Sequence, residues 1–366
     1  FACSPPAPKT KKEDLFDREA ELAELLEALK GDSRLILLVG MRRVGKTSLL
    51  KVALNELGRP HIYLDMRALR SYADVSFYEL LSDGINEILP LHKRLLDHLK
   101  NVRGVAVSGF TISFDLKYSK PSILQLLKGV NQWAKEEGLA LPIIFDEAQE
   151  LRYFRGRVDI ARLIAYSYDN LENVKFILTG SEVGLLYSTL NLFESSSPLY
   201  GRHRKLITLN RFDRDLSAKF LREGFKQKGL QVDDTLIEYV VDKLDGIVGW
   251  LAYVGAEIVS RVKKGGKVGT ELVERAVEEA VELVEDEVKK LPKTHIMVLQ
   301  CLADGAKRWS EIKTYLTMRA GRTFANPQLA NILDRLMKLS MVGKENDRYF
   351  LLDNLLGEAA RRVRGF

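Results

Sequence analysis

The sequence has only two cysteines among 366 residues, Cys3 in a proline-rich segment and Cys301 in a helical pattern. This pair excludes a scaffold built on disulfides. The chain also lacks an apolar run of about 18 residues, which excludes a membrane-spanning helix. Residues 1–12 lack the apolar core of a secretory signal. We therefore expect a cytoplasmic protein with no membrane partner, and a disordered tail over residues 1–13.

The composition describes a globular chain, with 46% hydrophobic and 29% charged residues. A chain of this length exceeds one comfortable hydrophobic core. We therefore expect two or three folded domains after the tail.

A glycine-rich loop is the most informative pattern in the chain. Residues 40–47 read G-M-R-R-V-G-K-T, between the apolar run Leu35–Val39 and a helical pattern. Glycines at this spacing let backbone N–H groups curl around phosphate oxygens, and the helix N-terminus adds its dipole. The sequence therefore predicts a phosphate-binding loop, in which Lys46 reaches the β- and γ-phosphates and Thr47 offers its hydroxyl to Mg²⁺. The predicted nucleotide-binding residues of the loop and the following helix are Gly40, Arg42, Arg43, Val44, Gly45, Lys46, Thr47 and Ser48.

Two carboxylates follow a second apolar run. Residues 141–147 read L-P-I-I-F-D-E, which is typical of a buried strand of a parallel sheet with acidic side chains at its C-terminal end. Ligands of open α/β sheets bind at that end. Asp146 is the predicted Mg²⁺ partner, and Glu147 is the predicted base for the attacking water. The alternative is an ordinary helix N-cap.

A third buried run ends in small hydroxylated residues, at T-G-S over residues 179–181. Thr179 or Ser181 fits the place of a polar side chain that senses the γ-phosphate. Serine and threonine are also common at strand ends without such a role. We assign the catalytic position to Ser181.

Five short strands punctuate the first 210 residues, and helical patterns separate most of them. They are Leu35–Val39, His61–Asp65, Pro142–Asp146, Lys175–Thr179 and Lys205–Leu209. This alternation predicts an α/β fold with a doubly wound parallel sheet over residues 14–210. Residues 103–118 instead alternate apolar and polar side chains and predict an inserted β-hairpin that turns near Gly109. The hairpin is either a docking edge for a partner or a flap over the sheet.

The chain from residue 211 onward is helical and then basic. Residues 211–291 predict an all-α lid domain, and residues 292–366 predict a winged helix from three short helices and a two-stranded turn. Residues 293–366 hold 13 lysines and arginines against 7 acidic residues, which accounts for the whole net charge of +6. This favours nucleic acid as a partner, although winged helices also serve as protein contacts. The side chains expected to face a DNA groove are Asn326, Gln328, Asn331 and Arg335.

Taken together, these motifs resemble those of the archaeal ATPase family, which is grouped with the STAND and AAA+ P-loop ATPases. The opening L-F-D-R-E-A-E-L over residues 15–22 is similar to a family element that packs near adenine, which implies that Phe16 and Arg18 bind nucleotide. The element S-P-L-Y-G-R at residues 197–202 implies that Arg202 faces the γ-phosphate. One departure is Val248, which stands where the family has a proline in the lid, so the lid contacts to nucleotide come into question.

Residue chemistry alone gives Arg202 weaker support. A guanidinium is able to spread over the charge of a transferring phosphoryl group. Most loop arginines, however, are simply solvated. Other nucleotide-dependent classes lack their motifs. The chain has no guanine-reading N-K-x-D element, no L-S-G-G-Q signature of transporter subunits and no second helicase motor motif.

We therefore expect an ATPase that binds ATP or ADP with Mg²⁺ and acts as a switch coupled to the winged helix. The alternative is a DNA-binding regulator in which the nucleotide is mainly structural. The expected partners are ATP, and double-stranded DNA or other proteins through the winged helix.

Overall fold

The computed structural model describes residues 7–69, 73–114 and 121–363. The chain divides into two compact units by its internal contacts. The sheet unit comprises Arg18–Gly40 and Lys46–Thr208. The helical unit comprises the described residues up to Asp17, the short segment Met41–Gly45, and the chain from Leu209 onward. The tip of the glycine-rich loop thus makes its contacts with the helical unit.

The sheet unit contains seven strands within the described ranges. They are β1 Leu35–Val39, β2 Ile62–Asp65, β3 Val105–Ser108, β4 Thr111–Phe114, β5 Leu141–Asp146, β6 Val174–Gly180 and β7 Lys205–Thr208. Five of them form one sheet in the order β2-β5-β6-β1-β7. Every neighbouring pair in that sheet is parallel. The predicted doubly wound parallel sheet is therefore confirmed, with strand bounds shifted by one residue at most.

Every residue of β1, β5 and β6 is buried, as the continuous apolar runs predicted. The helices that connect and cover these strands are α1 Glu19–Lys30, α2 Lys46–Leu57, α3 Asp74–Ile88, α4 Lys93–Leu99, α5 Ile123–Glu136, α6 Ile160–Asn170 and α7 Val183–Thr189. Ser122 and Asp159 start α5 and α6 by accepting a hydrogen bond from the first turn. Short 3₁₀ turns lie at Lys12–Asp14, which overlaps the end of the expected disordered tail, and at Met66–Ala68 and Ala148–Tyr153.

The inserted hairpin is present. Strands β3 and β4 pair antiparallel, and Ser108 lies opposite Thr111 across the turn. Ile112 is buried and Phe110 is 52% exposed, so the apolar side chains do not share one environment. Residues 115–118 of the predicted hairpin lie outside the described residues.

The helical unit begins with four helices in the region predicted to form the lid. They are α8 Arg214–Gln227, α9 Asp234–Leu244, α10 Val248–Lys263 and α11 Thr270–Val288. Asp213 and Asp233 cap the first two by accepting hydrogen bonds from backbone N–H groups of the first turn. The domain boundaries at residues 13, 210 and 291 stay predictions.

The C-terminal elements form the predicted winged helix and extend it. They are α12 Lys293–Leu302, β8 Lys307–Arg308, α13 Trp309–Ala320, α14 Asn326–Lys338, β9 Val342–Glu345, β10 Arg348–Leu351 and α15 Asn354–Arg362. The wing has three strands in the order β8-β10-β9, where the sequence predicted two. Helix α15 was also not predicted. None of the helices in the described parts of the chain is long and apolar enough to span a membrane.

Candidate nucleotide site

The glycine-rich loop joins β1 to α2, and its backbone turns at three left-handed residues. These are Gly40 with φ 150°, Arg43 with φ 66° and Gly45 with φ 98°. Glycine adopts such angles without steric cost, whereas at Arg43 the conformation is strained. Helix α2 starts at Lys46, so the positive end of its dipole faces the loop.

Lys46 is the cation of this loop. Its side chain is only 5% exposed, and Nζ donates a hydrogen bond to the carbonyl oxygen of Gly40 at 2.9 Å. The Lys46 side chain thus reaches back to the start of its own loop, where its charge would neutralise that of a bound phosphate. Val44 is fully buried, while Thr47 and Ser48 are half-buried in the first turn of α2.

Asp146 ends β5 and is completely buried. Its two carboxylate oxygens accept hydrogen bonds from different strands, Oδ2 from the Tyr63 hydroxyl on β2 and Oδ1 from the Thr179 hydroxyl on β6. Burial, and then the charge and hydrogen bond of Asp146, raise the pKa of Tyr63, so the phenol is protonated and acts as the donor. Asp146 is therefore oriented from both sides of its strand.

Glu147 follows in a left-handed conformation, with φ 53° and ψ 47°. Its N–H donates to the Thr179 hydroxyl oxygen at 2.9 Å. Its Oε2 accepts hydrogen bonds from Ser181 at 2.6 Å and from the Gln149 side chain at 2.5 Å. The backbone N–H of Glu147 is thus held by the Thr179 hydroxyl, and its carboxylate by the Ser181 hydroxyl, at the end of β6.

The charge state of Glu147 follows from these contacts. Burial works to raise its pKa, but the hydrogen bonds from Ser181 and Gln149 and the charges of Lys46 and Arg67 outweigh burial. The pKa of Glu147 therefore lies below its ordinary value. A carboxylate that is ionised at neutral pH is able to accept a proton.

Arg67 brings a second cation beside the carboxylates. Its Nε and Nη2 bind Asp65 at 2.9 Å and 2.7 Å, and Asp65 ends β2 opposite Asp146 in the sheet register. Burial works to raise the pKa of Asp65, but the hydrogen bonds and charge of Arg67 outweigh it and lower that pKa. The pair is pre-formed at the edge of the sheet where ligands of such folds bind.

Sequence reasoning missed four residues of this cluster, Tyr63, Asp65, Arg67 and Gln149. A signal was present for Asp65 and Arg67. The predicted second strand ends in Asp65, and parallel strands bring their C-terminal ends, with the residues that follow, to one edge of the sheet. Tyr63 and Gln149 had no individual signal.

A magnesium site fits the donor chemistry of these residues. Asp146 offers carboxylate oxygens and Thr47 a hydroxyl oxygen, and Mg²⁺ prefers oxygen ligands. Within the described ranges, no group of three or more His, Cys, Asp or Glu side chains is placed to hold a metal. Mg²⁺ in nucleotide sites takes one or two protein ligands and completes its shell with phosphate oxygens and water.

Arg202 is engaged elsewhere. Its Nε donates to Asp169 at 3.1 Å, and the guanidinium also contacts the carbonyl oxygen of Pro198. Neither partner belongs to the carboxylate cluster. Its predicted place at the γ-phosphate stays a prediction.

The two predicted adenine-binding residues lie in different units. Phe16 packs edge-on against Phe212 and Phe220, with ring centroids 6.0 Å and 5.3 Å away, in the helical unit. Arg18 precedes α1 in the sheet unit, is 8% exposed and forms an ion pair with Glu21 at 2.7 Å. Their roles toward nucleotide also stay predictions.

Helix α14 presents two distinct faces. Four apolar residues on one face are buried, namely Leu329, Ile332, Leu333 and Leu336. The four residues predicted to face a DNA groove are all exposed, namely Asn326, Gln328, Asn331 and Arg335. Lys344 and Arg348 are exposed on the wing, where Lys344 forms an ion pair with Asp347 at 3.1 Å.

Comparison with protein families gives two matches. Residues 15–254 match a family of ATPase domains predominantly from Archaea, and residues 289–352 match the C-terminal winged helix-turn-helix domain of MCM proteins. No curated protein sequence matches the chain significantly.

Several solved structures share the fold. A Walker-type ATPase of Pyrococcus abyssi is 34% identical over 99% of this chain and 100% of its own, with a TM-score of 0.83. The ORC2 protein of Aeropyrum pernix, in ADPNP and ADP complexes, is 15% identical over 98% of this chain and 96% of its own, with a TM-score of 0.64. Cdc6p of Pyrobaculum aerophilum is 14% identical over 99% of this chain and 96% of its own, with a TM-score of 0.51.

Proposed function

The chain belongs to the family of ATPase domains found predominantly in Archaea, and from this premise we propose that it hydrolyses ATP with Mg²⁺. The proposal includes a switch, in which the bound nucleotide sets the state of the winged helix. The observation that carries the chemistry is the pair of hydroxyl groups at the C-terminal end of β6, Thr179 within the strand and Ser181 directly after it. Thr179 orients Asp146 and the Glu147 backbone, while Ser181 orients the Glu147 carboxylate.

Each residue has a separate task in the proposed reaction. The loop N–H groups and Lys46 bind the β- and γ-phosphates, while Thr47 and Asp146 hold Mg²⁺, which neutralises charge on the phosphate oxygens. Glu147 orients the attacking water and accepts its proton. Ser181 positions Glu147, and Arg202 is kept as the candidate for stabilising charge in the transition state.

Two substitutions separate binding from hydrolysis. Lys46→Ala removes the charge that neutralises the phosphates, so we expect loss of turnover and of most Mg²⁺–ATP affinity. Glu147→Gln keeps the shape of the side chain but removes the base, so we expect ATP to bind while turnover falls by about 10²-fold or more.

Phosphate release and equilibrium binding of ATP are measured for both proteins. Glu194→Gln is the matched control, since Glu194 is exposed and outside the cluster. Near wild-type turnover in Glu147→Gln would show that Glu147 is not the base.

DNA binding by the winged helix is a second candidate function, favoured by the polar exposed face of α14. We propose that this face enters the major groove and that Lys344 and Arg348 contact phosphates. Phosphate contacts release counterions, so affinity should fall steeply with salt. Lys344→Ala and Arg348→Ala should weaken binding to all sequences and flatten the salt slope by about one unit per lost contact.

Fluorescence anisotropy on duplex DNA, from low to physiological salt, measures this slope. Lys226→Ala, an exposed charge outside the winged helix, is the control. No binding at low salt with ATP or ADP present would refute DNA binding and leave the winged helix as a protein-docking element.

A further inference from the structure

The tip of the phosphate loop is hydrogen-bonded to helix α10 through backbone atoms on both sides. The N–H of Gly249, in the first turn of α10, donates to the carbonyl oxygen of Arg43 at 2.7 Å. A Cβ atom on Gly249 would lie 2.6 Å from the Arg43 Cβ and 2.8 Å from its oxygen. Only glycine allows this approach, so the two backbones are held in direct contact.

The Arg43 side chain makes two further contacts in the same unit. Its guanidinium lies over the Trp250 ring, 4.1 Å from the centroid, and Nη2 binds Glu287 of α11 at 2.5 Å. Arg42 reaches the other oxygen of Glu287 at 3.4 Å. One carboxylate on α11 therefore holds both arginines of the loop.

Trp250 extends the chain of contacts to the winged helix. Its ring is 2% exposed, and Nε1 donates to Oδ2 of Asp353 at 2.9 Å. Asp353 follows the wing strand β10 and caps α15, because its Oδ1 accepts from the N–H of Leu355 at 2.9 Å. A path of three direct contacts thus leads from the phosphate loop to the N-terminus of α15.

We propose that Arg43, Trp250 and Asp353 form a relay that reports the occupancy of the phosphate loop to helix α15 of the winged helix. The proposal rests on the proposed function in one respect, since it requires that the loop binds nucleotide.

The physical basis of the relay is the strained conformation of Arg43. Its positive φ is unfavourable for a residue with a side chain. Phosphates bound by neighbouring N–H groups would select one backbone conformation of the loop, and the Arg43 carbonyl and guanidinium would be fixed with it. A ligand shifts such an element only through differential interaction with its two states.

The other end of the relay is sensitive to this change. Asp353 is buried, and burial raises its pKa, while hydrogen bonds from Trp250 and Leu355 and the charge of Arg43 act in the opposite direction. Movement of Arg43 or Trp250 would therefore remove stabilisation from a buried carboxylate that caps α15. Helix α15 also binds α11 through Arg362 and Glu278, at 2.5 Å and 2.6 Å, so its position is tied to the same helix that holds Arg43.

Hydrogen exchange of the α15 amides, with and without Mg²⁺–ADP, tests the relay in the full chain. In the wild type we expect ADP to slow exchange in α15 by about fivefold or more, the lower end of typical coupling between sites. Trp250→Phe keeps a ring under Arg43 but has no N–H for Asp353. It should bind ADP with unchanged affinity and lose the α15 response.

Glu287→Gln is a second variant, at a partly exposed position whose side chain keeps its shape. It removes the charge that anchors Arg43 and should also reduce the α15 response. The matched controls are Trp309→Phe in α13 and Asp286→Asn, the exposed neighbour of Glu287 on α11. Both controls should respond as the wild type does.

The outcomes separate this proposal from the proposed ATPase activity. Wild-type protein that binds ADP without any change in α15 overturns the relay, as does a Trp250→Phe protein with the wild-type response. Protein that binds ADP and shows the relay but does not hydrolyse ATP overturns only the ATPase proposal. A chain that binds no nucleotide overturns both.

Discussion

Replacing Thr179 by valine removes one hydroxyl group and leaves the shape of the side chain almost unchanged. That hydroxyl is fully buried, donates to Asp146 and accepts from the N–H of Glu147 at 2.9 Å. With valine at this position, the Glu147 N–H loses its acceptor. Of the two hydroxyl groups that donate to Asp146, only that of Tyr63 remains. Glu147 also keeps a left-handed backbone that this hydrogen bond helps to hold.

The expected loss of stability follows from those two hydrogen bonds. A hydrogen bond to a charged group contributes about 1.5–3 kcal/mol, and a buried unsatisfied donor costs about 1–3 kcal/mol, so we expect a loss of about 2.5–6 kcal/mol. For a unit of this size, one kcal/mol lowers the melting temperature by about 2–4 °C, which gives a shift of about 5–24 °C. Turnover should fall as well, because Glu147 loses the contact that orients its backbone.

Differential scanning calorimetry measures the shift, and phosphate release measures turnover. The control is Thr208→Val, which makes the same chemical change at the exposed end of edge strand β7. A Thr179→Val protein that melts within about 1 °C of the wild type would refute the view that this hydroxyl holds the two carboxylates.

Two further predictions concern Ser181 and Arg202. Ser181→Ala removes a donor that lowers the pKa of Glu147, so that pKa should rise. Since the base must be deprotonated, the acidic limb of the turnover profile should move to higher pH, and an unmoved limb would exclude this role. Arg202→Ala should spare ATP binding and depress turnover, because a charge aimed at the transition state contributes little to the ground state. If inactive Lys46→Ala protein restores the activity of Arg202→Ala protein on mixing, the arginine acts across a subunit boundary. If there is no rescue and the protein is strictly monomeric, Arg202 either acts within its own chain or has no catalytic role.

The parts of the site that the sequence could predict are those encoded in consecutive residues. A phosphate loop needs its glycines, lysine and threonine at fixed spacing between a strand and a helix, so residues 40–47 carry the whole signal. The same holds for Asp146 and Glu147, which directly follow their own strand. The family resemblance drawn from these motifs is confirmed by the match over residues 15–254.

The residues that position the carboxylates were beyond sequence reasoning for a topological reason. Tyr63 and Asp146 are 83 positions apart and meet only because β2 is the neighbour of β5 in the sheet. A tyrosine in a strand is common, and strand order does not follow from strand positions alone. Gln149 likewise has no special sequence context, since its role depends on the 3₁₀ turn that brings it back to Glu147.

The two elements of the winged helix that were not predicted, β8 and α15, differ in how strong a signal the sequence carried for each. Strand β8 consists of two charged residues, Lys307 and Arg308, so no alternation of apolar and polar side chains was available to predict it. Helix α15 did carry a signal. Asp353 is a favourable N-cap, and Leu355, Leu356, Ala359 and Ala360 repeat at helical spacing and are buried.

The departure at Val248 has a structural explanation. Ile247 is the N-cap of α10 and Val248 is its first residue, the position at which proline is favoured because its missing N–H has no partner within the helix. Valine therefore begins the helix at the position where the resemblance implies a proline. The hydrogen bond to the phosphate loop comes from the next residue, Gly249, whose N–H reaches Arg43. Since that contact does not depend on residue 248, the substitution leaves the connection between α10 and the loop intact.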